Sequence, residues 1–374
     1  MTDYTPGNGR SSEGQTLGRD LETEERSWVS YHFYYHEDPN LLALDLVAPL
    51  VAAQFRKRLI DRFFYIRYAL GGPHIRLRLR TSPALREQVV EETGRAAAEL
   101  LARSPSRKPL PEENIRKTNE ALLAADPHET DDAVYADNSF FVTEFRPEID
   151  RYGGPGLLNE SLDFFSISSC VALDFQREHR PRPRGAQLTA MFRVLLQQAL
   201  GSVGKEEHLL RLVAYAVTSW SEQFPGARKK ADDVFLAQQD AFLSLVRSEI
   251  ESALSARGDS GAESLPGRLL LGRASRRLFQ VVGRTEEEEA VLSICASQLH
   301  MTANRLGLTN AEEVYLGRLL AAALEEIVRN DSREQARLQG LLQRNLEAPA
   351  AGDAPQDFLP AVYSRFLETA GSAP

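Results

Sequence analysis

Between His74 and Arg80 the chain reads His-Ile-Arg-Leu-Arg-Leu-Arg, with apolar and basic residues in alternation. Successive side chains of a β-strand point to opposite faces. Ile75, Leu77 and Leu79 would therefore face a core, while His74, Arg76, Arg78 and Arg80 line the other side. Charge also protects exposed sheet edges, but three like charges at alternate positions repel one another. A row of guanidinium groups suits carboxylates and other anions, which it grips through paired, charge-assisted hydrogen bonds. Arg67, on the preceding segment, would add a fourth if it faced the same way.

Two further stretches carry groups that could move protons or bind anions. Arg146-Pro147-Glu148-Ile149-Asp150-Arg151-Tyr152-Gly153-Gly154 places Glu148 and Arg151 on a turn bounded by proline and a glycine pair. Functional residues often sit on such rigid loops, although a surface Glu–Arg pair can also be only that. Gln298-Leu299-His300-Met301-Thr302-Ala303-Asn304-Arg305-Leu306-Gly307 closes a helical segment. His300 could cap the helix end or serve as a general acid or base, since imidazole titrates near neutral pH. Asn304 lies one turn beyond it.

Other chemistries find little support. No Walker loop, GxGxxG, HExxH or GxSxG occurs. Cys170 and Cys295 are far apart and form no ligand cluster, and His32 with His36 lacks a third ligand, so neither metal nor cofactor is expected. A net charge of −9 disfavours direct nucleic-acid binding. No apolar run reaches the ~20 residues of a membrane helix and no secretory signal precedes Trp28, so a cytoplasmic protein is expected.

The elements that must position these residues follow from periodicity. Residues 1–25 are polar and aperiodic, and are expected to be a disordered tail. Trp28–His36 is aromatic and β-branched, residues 40–60 show helical spacing, and strands are expected over 62–70 and 74–81 around a Gly71-Gly72-Pro73 turn. This β-α-β-β order implies an antiparallel sheet in an α+β fold. A helix over 83–103, a polar stretch with one short helix and a strand over 139–146 come next. From about 157 the chain should be mostly helical, with helices over 186–200, 205–224, 231–256, 286–305 and 310–329 and loops over 225–230 and 257–275. Thr285 with Glu288, and Thr309 with Glu312, have capping-box spacing. One α+β domain is expected over 26–345, followed over 346–374 by a linker and a short helix.

Together these segments resemble the C-terminal, SpaB-type elimination domain of class I lanthipeptide dehydratases. They are still more similar to the free-standing thiopeptide-type bacteriocin biosynthesis proteins, over about residues 28–330. The resemblance rests on Trp28 with its strand, Phe63-Phe64-Tyr65-Ile66-Arg67-Tyr68, Gly71-Gly72-Pro73-His74-Ile75-Arg76-Leu77-Arg78, Pro147-Glu148 through Arg151-Tyr152-Gly153-Gly154, and His300-Met301 with Asn304-Arg305-Leu306. It implies a lyase that expels glutamate from glutamylated Ser or Thr of a precursor peptide, leaving dehydroalanine or dehydrobutyrine. By the same resemblance Arg76, Arg78, Glu148, Arg151 and His300 would be catalytic. Arg67, His74, Tyr152, Asn304 and Arg305 would bind substrate. A separate glutamyl-tRNA-dependent protein would supply the glutamylated peptide, recognised through leader and core, and a homodimer is possible. Arginines near the enolate and the departing carboxylate would supply electrostatic stabilisation. Glu148 could orient an arginine or move a proton, and His300 is the other proton-transfer candidate. Two alternatives stand beside this: a thiopeptide pyridine synthase joining two dehydroalanines by formal [4+2] cycloaddition, and a non-catalytic peptide-binding subunit.

Overall fold

The computed structural model describes residues 26–125, 131–256, 265–347 and 355–371; the expected tail over 1–25 and most of the expected linker lie outside them. Strand β1 (Ser27–Tyr34) leads into α1 (Pro39–Leu42), a π-helical turn at Ala43–Val47, and α2 (Ala48–Arg56). Strands β2 (Arg62–Tyr68) and β3 (His74–Thr81) follow, then α3 (Arg86–Arg103), α4 (Glu112–Ala125) and β4 (Ser139–Thr143). The rest is helical: α5 (Leu158–His179), α6 (Arg184–Gly201), α7 (Glu206–Trp220), α8 (Pro225–Ser255), α9 (Gly267–Val282), α10 (Glu288–Leu306), α11 (Asn310–Asn330), α12 (Ser332–Gln343) and α13 (Pro355–Gly371). The fold is α+β, as the element order implies.

The four strands form one antiparallel sheet in the order β2-β3-β1-β4. Its core face carries Val29, Phe33, Phe63, Ile75, Leu77 and Leu79, all fully buried. Helix α13 completes this core: Phe366 lies 5.8 Å from Phe63, and Tyr363 lies 4.4 Å from Phe55, ring centre to ring centre. At 17 residues it is longer than the short terminal helix expected, because its apolar stripe has a sheet to pack on.

An outer strand leaves half its backbone groups unpaired, and helices α5 and α10 satisfy them on β2. The Tyr65 amide donates to Ser169 Oγ at 3.3 Å, and the Tyr65 carbonyl accepts from Arg305 Nε at 2.9 Å. Asn304 binds both the amide and the carbonyl of Arg67.

Three local expectations are corrected. Helix α8 begins at Pro225, inside the stretch read as a loop, because proline suits a first helical position. Helix α9 begins at Gly267, so the part of the loop over 257–275 that is described from Gly267 onward is helical; its glycines serve a close crossing rather than a turn. A Cβ on Gly272 would come within 2.7 Å of the Gln197 carbonyl oxygen on α6, and one on Gly201 would strike the Gly272 carbonyl. The Thr285–Glu288 capping box does not form: Glu287 precedes α10, and the Thr285 hydroxyl donates to Val282 O at 3.3 Å. The Thr309–Glu312 box does form at the start of α11.

Candidate active site

The second face of the sheet holds the basic row. Cross-strand pairing places His32 beside Arg76 and Ser30 beside Arg78 on β1, and Ile66 and Phe64 beside them on β2. This face is not an open, solvated one: His74 is fully buried and Arg78 is 7% exposed. Its arginines have different neighbours. Arg80 forms a two-pronged bond to Asp61, at 2.9 and 2.7 Å, and Arg62 pairs with Asp163 at 2.8 Å. Arg76 and Arg78 lie against aromatic rings. The Arg76 guanidinium carbon lies 3.8 Å above the Tyr68 ring centre, and that of Arg78 lies 5.4 Å from the Phe145 ring centre.

His74 orients Arg76. Arg76 Nε donates to His74 Nε2 at 3.1 Å, which requires the histidine proton on Nδ1, 2.8 Å from the Gly72 carbonyl. Burial, with the charge of Arg76, holds the His74 ring well below the usual histidine range. Burial also lowers His32, helped by His74, Arg76 and Arg78. Both rings are therefore neutral, and the positive charge of the row rests on the guanidinium groups. His74, fully buried, supports Arg76 from within the protein.

Beyond Thr143 the chain enters the Pro147 turn, where Arg151 binds Glu148 at 2.8 Å and is aimed at α10. Its Nε donates to Ser297 Oγ at 3.1 Å, three residues before His300 on the helix. Gly153 and Gly154 take left-handed backbone angles, φ 85° and 76°, that let the turn fold back into α5. Tyr152 packs with Phe64, Leu162 and Phe165, and Met301, Trp28 and Phe145 lie against the same cluster. Burial pushes the Tyr152 hydroxyl up to about 12, so it stays protonated. Through this cluster Phe145, which lies against Arg78, meets Tyr152 of the Glu148–Arg151 turn and Met301, the residue after His300.

His300 does not cap its own helix. Its Nδ1 lies 2.9 and 3.0 Å from the two carboxylate oxygens of Glu313 on α11, and its ring centre is 6.1 Å from that of Trp220 on α7. The imidazole is 19% exposed, against 9% for the Glu313 side chain. The sequence alone did not single out Glu313. It follows Glu312 of the capping box and reads as one more acidic residue in a first helical turn.

Three residues expected to bind substrate are engaged by hydrogen bonds within the protein. Arg67 pairs in register with Ile75 and so lies on the opposite face from Arg76 and Arg78; its guanidinium donates to the carbonyls of Asn304 and Leu308. Asn304 is occupied by the Arg67 backbone. Arg305 is fully buried, donates to Tyr65 O and to Ser168 Oγ, and lies 4.3 Å from the Phe165 ring centre. Burial lowers it to about 10, so it remains a cation beneath the cluster. Among the described residues no group of three or more His, Cys, Asp or Glu is placed to hold a metal, and no helix is long and apolar enough to cross a membrane.

Fold and site define a largely helical α+β protein in which one aromatic cluster joins a cationic sheet face, a Glu–Arg turn and a histidine-bearing helix. Residues 28–324 match the family described as the lantibiotic biosynthesis dehydratase C-terminal domain, and the chain belongs to that family. Membership places it in the biosynthesis of modified, ribosomally made peptides. Among solved structures it is similar to the pyridine synthase TbtD from thiomuracin biosynthesis, at 19% identity and TM-score 0.68, over 81% of this chain and 99% of that one. It is also similar to TsrL, at 17% identity and TM-score 0.55, over 88% and 100% of the two chains. The tRNA-dependent lantibiotic dehydratase MibB from Microbispora sp. 107891 matches at 18% identity and TM-score 0.48, over 81% of this chain and 28% of that one. No curated protein matches by sequence.

Proposed function

We propose that this protein is a glutamate-eliminating lyase, acting on glutamylated Ser or Thr of a precursor peptide supplied by a separate glutamyl-tRNA-dependent protein. One observation carries the reading: Arg78, next to Arg76 in a row flanked by neutral histidines, lies against Phe145 of an aromatic cluster to which the Glu148–Arg151 turn contributes Tyr152 and the His300 helix contributes Met301.

Elimination asks three things of a site. It must remove a weakly acidic α-proton, stabilise charge growing on the peptide carbonyl, and receive a departing carboxylate. Arg76 and Arg78 supply fixed positive charge for the second and third, where preorganised donors act most strongly. Arg151, held by Glu148 and Ser297, adds a third cation at the edge of the same region. His300 supplies an imidazole that can accept and return a proton.

The test is direct. Purified protein, given a glutamylated precursor peptide without ATP, metal or tRNA, converts each glutamylated residue to one lighter than the unmodified residue by one water, read by mass spectrometry. Persistence of the glutamylated peptide with a partner protein present sinks the reading.

A second reading, cycloaddition of two dehydroalanines, draws on the likeness in fold to TbtD. A peptide carrying two dehydroalanines separates the two activities: formation of a pyridine product supports cycloaddition, and an unchanged peptide supports elimination.

A further inference from the structure

Glu313 sits in the first turn of α11, and its place is fixed by neighbours other than His300. The Thr309–Glu312 capping box closes the helix start, and Arg184 clamps Glu312 through a two-pronged bond, at 2.7 and 2.5 Å. The carboxylate of Glu313 is therefore delivered to His300 by a braced helix end. Both of its oxygens lie within hydrogen-bond distance of Nδ1 and of no other His300 atom. A carboxylate only accepts, so the proton of this contact belongs to Nδ1, and a neutral ring then keeps its lone pair on Nε2.

We propose that Glu313 is a positioning residue of the elimination site. It holds His300 in the Nδ1–H form and offers countercharge to the imidazolium that appears when Nε2 accepts a proton. The proposal rests on the elimination reading. In the step, the Cα–H bond of the glutamylated residue breaks and its proton passes to Nε2. The released electron pair forms the Cα=Cβ bond, the Cβ–O bond breaks, and glutamate leaves as a carboxylate towards the arginine face. The imidazolium then returns its proton to water. The nearly buried Glu313 carboxylate beside Nδ1 keeps the ring from turning over and faces the imidazolium with its countercharge.

Such a pair could also do no more than fasten α10 to α11, and the experiment separates the two roles. Full-length wild type, Glu313→Gln and Glu313→Asp are compared on a glutamylated precursor peptide, with kcat and KM followed across pH and thermal unfolding measured alongside. Ring nitrogen shifts of labelled His300 are recorded in the absence of peptide. The expected result is a loss of about 10²-fold in kcat for Glu313→Gln at little-changed KM. The acidic limb of its pH profile should shift to lower pH, and Glu313→Asp should recover most of the rate. A Glu313→Gln protein that unfolds at lower temperature but keeps the wild-type kcat and pH profile overturns the positioning role. So does a wild-type ring whose proton is found on Nε2 near neutral pH, a result independent of turnover. A wild type that leaves the peptide intact while its ring is Nδ1-protonated overturns the elimination reading and, with it, the catalytic part of this proposal.

Discussion

Asn304 on α10 binds the backbone of Arg67 on β2 from both sides: Oδ1 accepts from the Arg67 amide and Nδ2 donates to its carbonyl, each at 2.8 Å. One side chain thus stands in for a neighbouring strand at the sheet edge. It also fixes the height of α10, and with it His300 one turn back, relative to the arginine row.

This arrangement makes Asn304 a stability residue. Asn304→Ala leaves two backbone groups without their partner, each costing about 1–3 kcal/mol if it stays buried. A fall in denaturation midpoint is expected, with KM for the precursor peptide unchanged well below the melting temperature. A raised KM at wild-type stability would return Asn304 to substrate binding.

The arginines of β3 should differ sharply. Arg76→Ala or Arg78→Ala is expected to lower elimination by about 10²–10³-fold, the usual cost of removing one preorganised donor. Glutamylated peptide should accumulate in cells, while circular dichroism stays that of the wild type because the Ile75–Leu77–Leu79 face is intact. Arg80→Ala should keep most activity, since its guanidinium is held by Asp61, and should cost about 1 kcal/mol in stability. Equal, mild losses at all three positions would mean that the row is structural.

His300 is another side chain whose loss should be felt in the chemistry. His300→Ala is expected to slow elimination by about 10²–10⁴-fold, with His300→Gln nearly as damaging because an amide cannot carry the proton. Single-turnover rates measured by mass spectrometry check this; a rate within about threefold of the wild type for His300→Gln would remove proton transfer from its role.

Acid should destabilise the fold through His74 and His32. Both are held neutral, with folded-state values below the ordinary histidine range. Below about pH 6.5 the unfolded chain binds protons that the folded chain refuses, so stability falls with pH by about 1.4 kcal/mol per unit for each such ring. Chemical denaturation at several pH values measures the slope, and His74→Gln should reduce it by about one proton.

The α6–α9 crossing should reject even a methyl group. Gly272→Ala is expected to cost about 1–3 kcal/mol, because its Cβ meets main-chain oxygen on α6 rather than a side chain that can move aside. A melting temperature equal to that of the wild type would show that the helices part without strain.

Much of this protein is written in local patterns. Period-two alternation placed Ile75, Leu77 and Leu79 inside and set His74, Arg76, Arg78 and Arg80 together on the other face, as the strand register bears out. Period 3.6 located α3, α6, α7, α8, α10 and α11 but did not mark out α5 or α9, and the Thr309–Glu312 spacing marked the start of α11. These succeed because each depends on residues within one or two turns of one another. Loop readings at 225–230 and 267–275 failed where Gly and Pro serve a helix start and a helix crossing instead. That Asp61 holds Arg80 was not legible, since it reaches across from the loop before β2. Nor was the face of Arg67, which one residue of register decides. The His300–Glu313 contact spans 13 residues and two helices, so only the packing of α10 on α11 brings it about. The meeting of Arg151 with Ser297 spans 146 residues. Alternation and helical period say which way a side chain points from its own element. What it points at depends on how the elements dock, and that is decided by the burial of apolar faces across the whole chain.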